Sequence, residues 1–443
     1  MKVEATYKSI FQISYPIILG LIAQNLMVVI DTAFLGRVGE IELGAAAIGG
    51  ILFLTMTMLG TGFGIGTQIL IGRRNGEGNY HQIGILFDHS IYFQFALAIA
   101  LIVIYTFFAP QILVHFIDSE AIKTASLEFL SMRKWGFVLA LQIICFNSLY
   151  VGSARTKVIS LSTIIMSLAN IILDYGLIFG NLGMPEMGIA GAALATNIAE
   201  GITFLFLLIY TLSNTKLKAF KIFKFTKPDF VLLKKILNLS GPVMLQHFIS
   251  FSAWFVFFMI IEQMGETQLA ASNITRSIYM LLMIPVWGLS SATNTLVSNI
   301  IGQGKVNEVF VITKKIMILS VITNLIIIQA IIWFPDILIR FYTDDVNLIE
   351  VTRPVLYTIS LALIAFSVGM TYFSALSGTG KTKVGLRIEI ITISIYMIAT
   401  YFLAVYLKAP LPIVWAVEAI YFSVVGFISF LYLKTGKWKS LQI

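Results

Sequence analysis

Val38-Gly39-Glu40-Ile41-Glu42-Leu43 opens a glycine-rich apolar segment that closes on Gly76-Glu77-Gly78. Met264-Gly265-Glu266-Thr267-Gln268-Leu269 opens a second such segment, which closes on Gly302-Gln303-Gly304. The displacement that carries Val38 onto Met264 also carries Ile48 onto Ile274, Gly62 onto Gly288 and Thr67 onto Thr293. Upstream of both segments, the same displacement pairs Pro16 with Pro242. After a one-residue slip near Pro110 and Pro335 it resumes, with Gly152 matching Gly378 and Thr156-Lys157-Val158 matching Thr382-Lys383-Val384. The identities concentrate at Gly and Pro, where backbone geometry is most constrained. One register held across three separate loops marks a duplicated chain.

Composition says what was duplicated. Of 443 residues, 58% are hydrophobic and 12% charged, and the mean hydropathy is +0.91. Soluble chains carry roughly 25% charge, so soluble enzymes, nucleic-acid-binding modules and disordered proteins are excluded. A spanning helix takes about 20 apolar residues, roughly 35 with its connection, and the gaps between apolar runs, one of them at 109–126, mark twelve spans. The expected fold is therefore an all-α polytopic membrane protein, with 12 transmembrane helices in two pseudo-symmetric six-helix lobes. The lobes are expected at residues 1–213 and 236–443, joined by a linker at 214–235. Six spans is an even number, so both halves insert with the same orientation.

Charge sets that orientation. Arg37, Lys123, Arg133, Lys134, Arg340, Arg353 and Lys408 fall on one side, Arg276 falls inside the eighth span, and the remaining Lys and Arg fall on the other. The linker Lys216–Lys235 is the densest basic stretch. By the positive-inside rule both termini and the linker are expected in the cytoplasm, in a multi-pass protein of the inner (plasma) membrane. The net charge of +8 then reflects topology and contact with membrane lipid, not nucleic acid. The first apolar run follows a charged start without a small-residue cleavage site, and reads as a retained helix. The lone Cys145 excludes a disulfide framework.

Several motifs fail. Gly378-Thr379-Gly380-Lys381-Thr382 looks like the end of a phosphate-binding loop, but Ala375 stands where the motif needs its first glycine. Gly60, Gly62, Gly64 and Gly66 do not make a dinucleotide fingerprint, because Ile65 and Thr67 occupy the third-glycine positions; they suit close helix packing. Parallel six-helix repeats are a transporter design; no nucleotide and no cofactor is expected, so such transport would draw on an ion gradient. His81, His89, His115 and His247 share no catalytic spacing with a Ser, a Cys or a second His, so no enzyme is expected.

The informative groups are acids inside spans, where a charge costs at least about 2.5–3.5 kcal/mol and usually faces a cavity. Asp31 sits within Gln24-Asn25-Leu26-Met27-Val28-Val29-Ile30-Asp31 of the first span. Asp174 follows Asn170 by one turn in the fifth, and Thr196 follows Ala192 by one turn in the sixth, so each pair shares a helix face. Carboxylate, amide, hydroxyl and backbone oxygens suit a hard cation. Two neighbouring carboxylates equally suit a shared proton. Each acid alone could be hydrogen-bonded helix glue; two acids with two polar partners in one half argue for function.

Pro16, Gln24 and Asp31-Thr32, then Asn147, Gly152 and Thr156-Lys157, then Asn170, Asp174 and Gly191-Ala192-Ala193-Leu194-Ala195-Thr196 resemble the multidrug and toxic compound extrusion (MATE) family. With the Gly302-Gln303-Gly304 loop, the resemblance covers essentially the whole chain. It implies a cation-coupled exporter with two six-helix lobes and a central cavity. It further implies, by the DinF-like and archaeal pattern, a first-lobe cation site of Asp31, Asn170, Asp174, Ala192 and Thr196, with Gln24 and Asn147 lining the same pocket. Asp31, Asn170, Asp174 and Thr196 would be the ligands of a sodium ion. NorM-like members also use carboxylates on spans seven and ten; here Phe257 stands at the internal equivalent of Asp31, Thr400 at that of Asp174, and span ten has no acid. Coupling through the first lobe alone is expected.

The second half holds Arg276, Glu389 and Glu418. Arg276 is expected to pair with an acid or to meet cargo, and as the one clear basic residue inside a span it would then favour anionic or zwitterionic cargo. Trp254, Trp287 and Phe257 are candidates for stacking on cargo. The expected function is a Na+- or H+-coupled antiporter, monomeric, exporting small organic molecules such as drugs or metabolites. The rival is a lipid-linked precursor flippase of related architecture.

Overall fold

The computed structural model describes residues 3–117 and 119–439, and every regular element among them is helical. The first half runs α1 (Tyr7–Val38), α2 (Glu40–Glu77), α3 (Tyr80–Phe116), α4 (Glu120–Arg133), α5 (Gly136–Gly152), α6 (Lys157–Phe179) and α7 (Gly188–Ser213). A 3-10 turn at Thr215–Phe220 follows. The second half runs α8 (Phe230–Glu262), α9 (Glu266–Gly302), α10 (Glu308–Trp333), the short α11 (Pro335–Arg340), α12 (Val346–Gly378) and α13 (Thr382–Tyr401). It ends with a π turn at Phe402–Tyr406, α14 (Leu411–Trp415) and α15 (Val417–Lys434).

Among the described residues eleven stretches are long and apolar enough to span a membrane, and α4 with α5, bent by 51°, make a twelfth when counted as one span. Glycine ends two of the helices: Gly78 and Gly180 take left-handed φ of +74° and +70° beyond α2 and α6, the geometry that stops a helix at least cost. The connection expected at 109–126 is shorter than its sequence suggests. Helix α3 continues through Pro110, and Ser119 caps α4 by accepting the Ile122 N–H.

The duplication is visible in packing. A Cβ on Gly152 would lie 2.7 Å from the Gln68 carbonyl oxygen, and one on Gly378 would lie 2.7 Å from that of Asn294. The displacement that pairs Gly152 with Gly378 also pairs Gln68 with Asn294, so the second contact repeats the first. The described residues form two compact units, one spanning Leu19–Met244, the other comprising residues up to Ile18 and from Leu245. These bounds differ from lobes at 1–213 and 236–443. The linker and the start of α8 belong to the first unit, and the start of α1 to the second.

The reason is a reciprocal exchange of helix arms. Gly62 of α2 presses on the Met244 backbone, where a Cβ would lie 2.5 Å from Cα; Gly288 of α9 presses on Ile18, 3.3 Å from its backbone nitrogen. Ile18 and Met244 are themselves equivalent positions of the two repeats, as Pro16 and Pro242 are. Each unit thus takes the first-helix arm of the opposite repeat, and the chain leaves one unit for the other two residues beyond Pro16 and Pro242.

The linker is strapped to α3. Lys221, Phe223 and Phe225 take φ of +53°, +60° and +43°, a costly region for residues with a Cβ. Asp88, buried on α3, offsets this by accepting the backbone N–H groups of Phe223, Lys224 and Phe225 at 2.9, 3.0 and 3.1 Å. Asp229 donates its N–H to His89 Nε2 at 2.9 Å, and the Tyr92 hydroxyl donates to the Thr226 carbonyl at 3.0 Å. Asp88→Ala removes three charge-assisted acceptor contacts. It is expected to speed tryptic cleavage within Lys221–Lys227 of the purified protein at least about tenfold, by local opening; cleavage at the parent rate would refute the strap.

Candidate functional site

Helices α1 and α6 meet with their acids in register. Ser167 Oγ donates to the Ala23 carbonyl at 3.1 Å, and a Cβ on Gly20 would lie 3.3 Å from Thr163 Oγ1. Eleven residues beyond Gly20 and Thr163 come Asp31 and Asp174. Eleven residues is close to three turns at 3.6 residues per turn, so the same faces that touch at Gly20 present the two carboxyls to each other.

Helices α6 and α7 supply the remaining groups. Asn170 Nδ2 donates to Thr196 Oγ1 at 3.3 Å, and the Thr196 hydroxyl donates to the Ala192 carbonyl at 3.0 Å. Asn170 and Asp174 are fully buried, Ala192 is buried, and Asp31 and Thr196 are half-buried. The structure therefore brings together Asp31, Asn170, Asp174, Ala192 and Thr196. Both oxygens of Asp174, Oδ1 of Asp31 and Oδ1 of Asn170 are buried without a protein donor. The two carboxyls instead face each other within hydrogen-bonding reach.

Oxygens left this way are costly unless water, a proton or a cation satisfies them. A proton between the carboxyls turns mutual repulsion into a hydrogen bond, and a hard monovalent cation draws on the same oxygens. Among the described residues no cluster of three or more His, Cys, Asp or Glu is arranged to hold a metal ion. Two carboxyls, an amide and a hydroxyl are hard oxygen donors, which suit a proton or a hard cation.

The other expected residues fare differently. Gln24 is exposed on α1 and Asn147 half-buried on α5; among the described residues neither side chain hydrogen-bonds to the carboxyls. Phe257 is not available to cargo. It is wholly buried against Trp415 at 5.2 Å, Phe258 at 5.6 Å and Tyr396 at 5.8 Å between ring centroids, at the centre of the second unit's core. Trp287 is half-buried against the same core. Arg276 does not pair with an acid among the described residues; its guanidinium lies 4.9 Å from the Phe258 ring centroid, a cation–π contact.

Glu389 accepts hydroxyls from Ser250 and Tyr421, both at 2.6 Å, and Glu418 accepts that of Tyr396 at 2.8 Å. These two acids therefore bind helices to one another, which is the structural role open to any acid in a span.

Arg133 escapes the sequence reading. Counted among residues at a membrane edge, it is only 8% exposed and forms a two-pronged ion pair with Glu200 in mid-α7, Nη1 to Oε2 at 2.9 Å and Nη2 to Oε1 at 2.6 Å. Arg276 is thus not the one basic residue held away from water. The signal available was Glu200 itself, one turn beyond Thr196, an acid in a span with no basic partner nearby in sequence.

Comparison with known proteins agrees with this architecture. The MatE family model matches residues 16–176 and again residues 242–402, and both bounds move by the displacement that carries Pro16 onto Pro242. A probable multidrug resistance protein NorM of Thermotoga maritima is 26% identical, covering 98% of this chain and 94% of its own. The multidrug resistance protein NorM of Vibrio cholerae is 25% identical over 67% of this chain and 65% of its own. Among solved structures, an outward-facing multidrug resistance MATE family transporter of the MOP superfamily superposes with a TM-score of 0.90, at 21% identity over 98% of this chain and 97% of its own. A MOP superfamily transporter from Pyrococcus furiosus, described by the reverse polarity of its binding pocket, reaches 0.89 at 20% identity over the same shares. The NorM names of the relatives lean against the DinF-like subtype expected from the sequence. The flippase alternative finds no support here.

Proposed function

The chain belongs to the MATE family, and on that premise we propose that it is a cation-coupled secondary antiporter exporting small organic molecules by alternating access. The observation that carries this is the set of buried oxygens of Asp31, Asn170 and Asp174 that no protein donor satisfies. Na+ or H+ entering this set neutralises the facing carboxyls. Neutralisation changes the relative stability of two conformations, so ion and cargo compete through differential affinity for two states rather than for shared ligands. The flexures are α1 and α8 just beyond Pro16 and Pro242, where the chain passes between units and proline removes a helical hydrogen bond.

Multidrug resistance names among the relatives support drugs or metabolites as cargo. Phe257 and Thr400, standing where a second-half acid pair would be, support coupling through the first half alone, the DinF-like arrangement. Arg276, without an acid beside it, is available to an anionic or zwitterionic cargo group. The lysine distribution supports residence in the inner membrane with both termini cytoplasmic. The carrier works as a monomer in lipid, without nucleotide, nucleic acid or catalytic chemistry.

The test is efflux from proteoliposomes loaded with ethidium or norfloxacin. A sodium gradient is imposed at fixed pH, and separately a proton gradient without sodium. One of the two is expected to drive export. Export in the absence of any gradient, or in neither arm, would sink the proposal.

A further inference from the structure

The cation site has a charged neighbour that the transport reading does not use. Arg133 closes α4, and its guanidinium is held on every side. Besides the two bonds to Glu200, Nη1 donates to Asn197 Oδ1 at 2.6 Å, and Cζ lies 3.7 Å from the Phe53 ring centroid. Asn197 Nδ2 donates back to the Met132 carbonyl at 2.7 Å, locking the amide that receives the arginine. Room for the cluster comes from Gly136, where any Cβ would collide with both the guanidinium and the Asn197 amide. Tyr105 of α3 is a further titratable group on the surrounding helices, its hydroxyl donating to the Gly49 carbonyl at 3.2 Å.

The link to the site runs along α7. Ala192, Thr196 and Glu200 follow one another at intervals of four, so they share one face. Asn197, next to Thr196, holds the arginine while Thr196 holds Asn170. The guanidinium is thereby held by Asn197 and Glu200, one residue and one turn beyond Thr196, and a charge so placed acts on the facing carboxyls through a poorly screening interior. A fixed cation there opposes the entry of a second cation, and Glu200 cancels most of that opposition.

We infer that Arg133 and Glu200 are positioning residues that set the cation affinity of the Asp31–Asp174 site through the balance of their two charges. The inference rests on the proposed coupling role of Asp31 and Asp174. At an effective dielectric of about 20, one uncompensated charge at a distance on the order of 10 Å shifts cation binding about tenfold.

The measurements are the half-saturating sodium concentration for proteoliposome efflux at fixed pH, and the pH midpoint of sodium-free efflux. Glu200→Gln leaves Arg133 uncompensated; it is expected to raise half-saturating sodium about tenfold, or to move the pH midpoint about one unit toward acid. Arg133→Gln leaves Glu200 uncompensated and is expected to shift the same readout in the opposite direction. A purely structural pair would move both variants the same way, and that result overturns the inference, as does no shift in either. Asn197→Asp covers the case in which a lone buried charge prevents folding. It keeps the acceptor for Arg133 and adds one negative charge, at the cost of the Nδ2 donation to the Met132 carbonyl, so tighter cation binding is expected; unchanged or weaker binding in folded protein overturns the inference. Asp31→Asn separates the two levels. If it leaves coupling intact, the site reading fails; if it uncouples while the charge variants shift nothing, only this inference fails.

Discussion

Asp31→Asn is expected to reduce gradient-driven efflux at least about 100-fold, beyond what loss of an outer-shell partner costs a metal site, while leaving insertion and yield unchanged. Asparagine is isosteric and keeps one oxygen, so packing against α6 through Gly20 and Thr163 survives. It removes the charge that attracts the ion and the acid that would share a proton with Asp174. Asp174→Asn is expected to act alike, and the double variant to be scarcely worse than either, because the two carboxyls act as a unit. Thr196→Ala removes one hydroxyl and is expected to weaken coupling without abolishing it. The assay is efflux under whichever gradient drives the parent, normalised to protein in the vesicles. Parent-level transport by Asp31→Asn would remove the site from the mechanism.

Gly62→Ala and Gly66→Ala are expected to destabilise the protein by about 1–3 kcal/mol each, the usual cost of overpacking. Helix propensity predicts the reverse, since Ala is favoured over Gly by roughly 1 kcal/mol within a helix. Packing decides against propensity here because the neighbours are main chain. A Cβ would lie 2.5 Å from Met244 Cα at position 62 and 2.6 Å from Ser240 Cα at position 66, and neither backbone can rotate away as a side chain would. The α8 arm must lift off α2 to make room, which undoes the exchange of arms. Thermal unfolding followed by size-exclusion of detergent-solubilised protein measures the effect. A rise in melting temperature for both variants would show that the arm is not seated on α2.

Much of the molecule was legible because a bilayer makes local sequence informative. Apolar runs, their number and their repetition at one fixed displacement are properties of neighbouring residues, and lipid leaves an apolar run little choice but helix. Asp31, Asn170, Asp174 and Thr196 stood out for the same reason, since a polar residue in a span is conspicuous and four-residue spacing defines a face; their union with Ala192 in one site was what the family resemblance implied. Arg133 was misjudged because its partner lies 67 residues away, and membrane-edge position says nothing about burial. Phe257 was offered to cargo because an aromatic residue in a span reads alike whether it meets lipid, ligand or core. The Asp88 strap joins groups 135 to 137 residues apart, beyond any local pattern.

Reading along the chain is enough to establish that it spans the membrane about twelve times, that it is written twice in parallel, and that two acids lie where acids are expensive. Three-dimensional packing was needed to show that those acids face each other, that a buried arginine is balanced by Glu200 one turn beyond Thr196, and that each repeat lends its first arm to the other unit. The division has one cause. Hydropathy and helical spacing are summed along the chain, whereas the pairing of charges and the seating of one backbone on another depend on which helix faces meet.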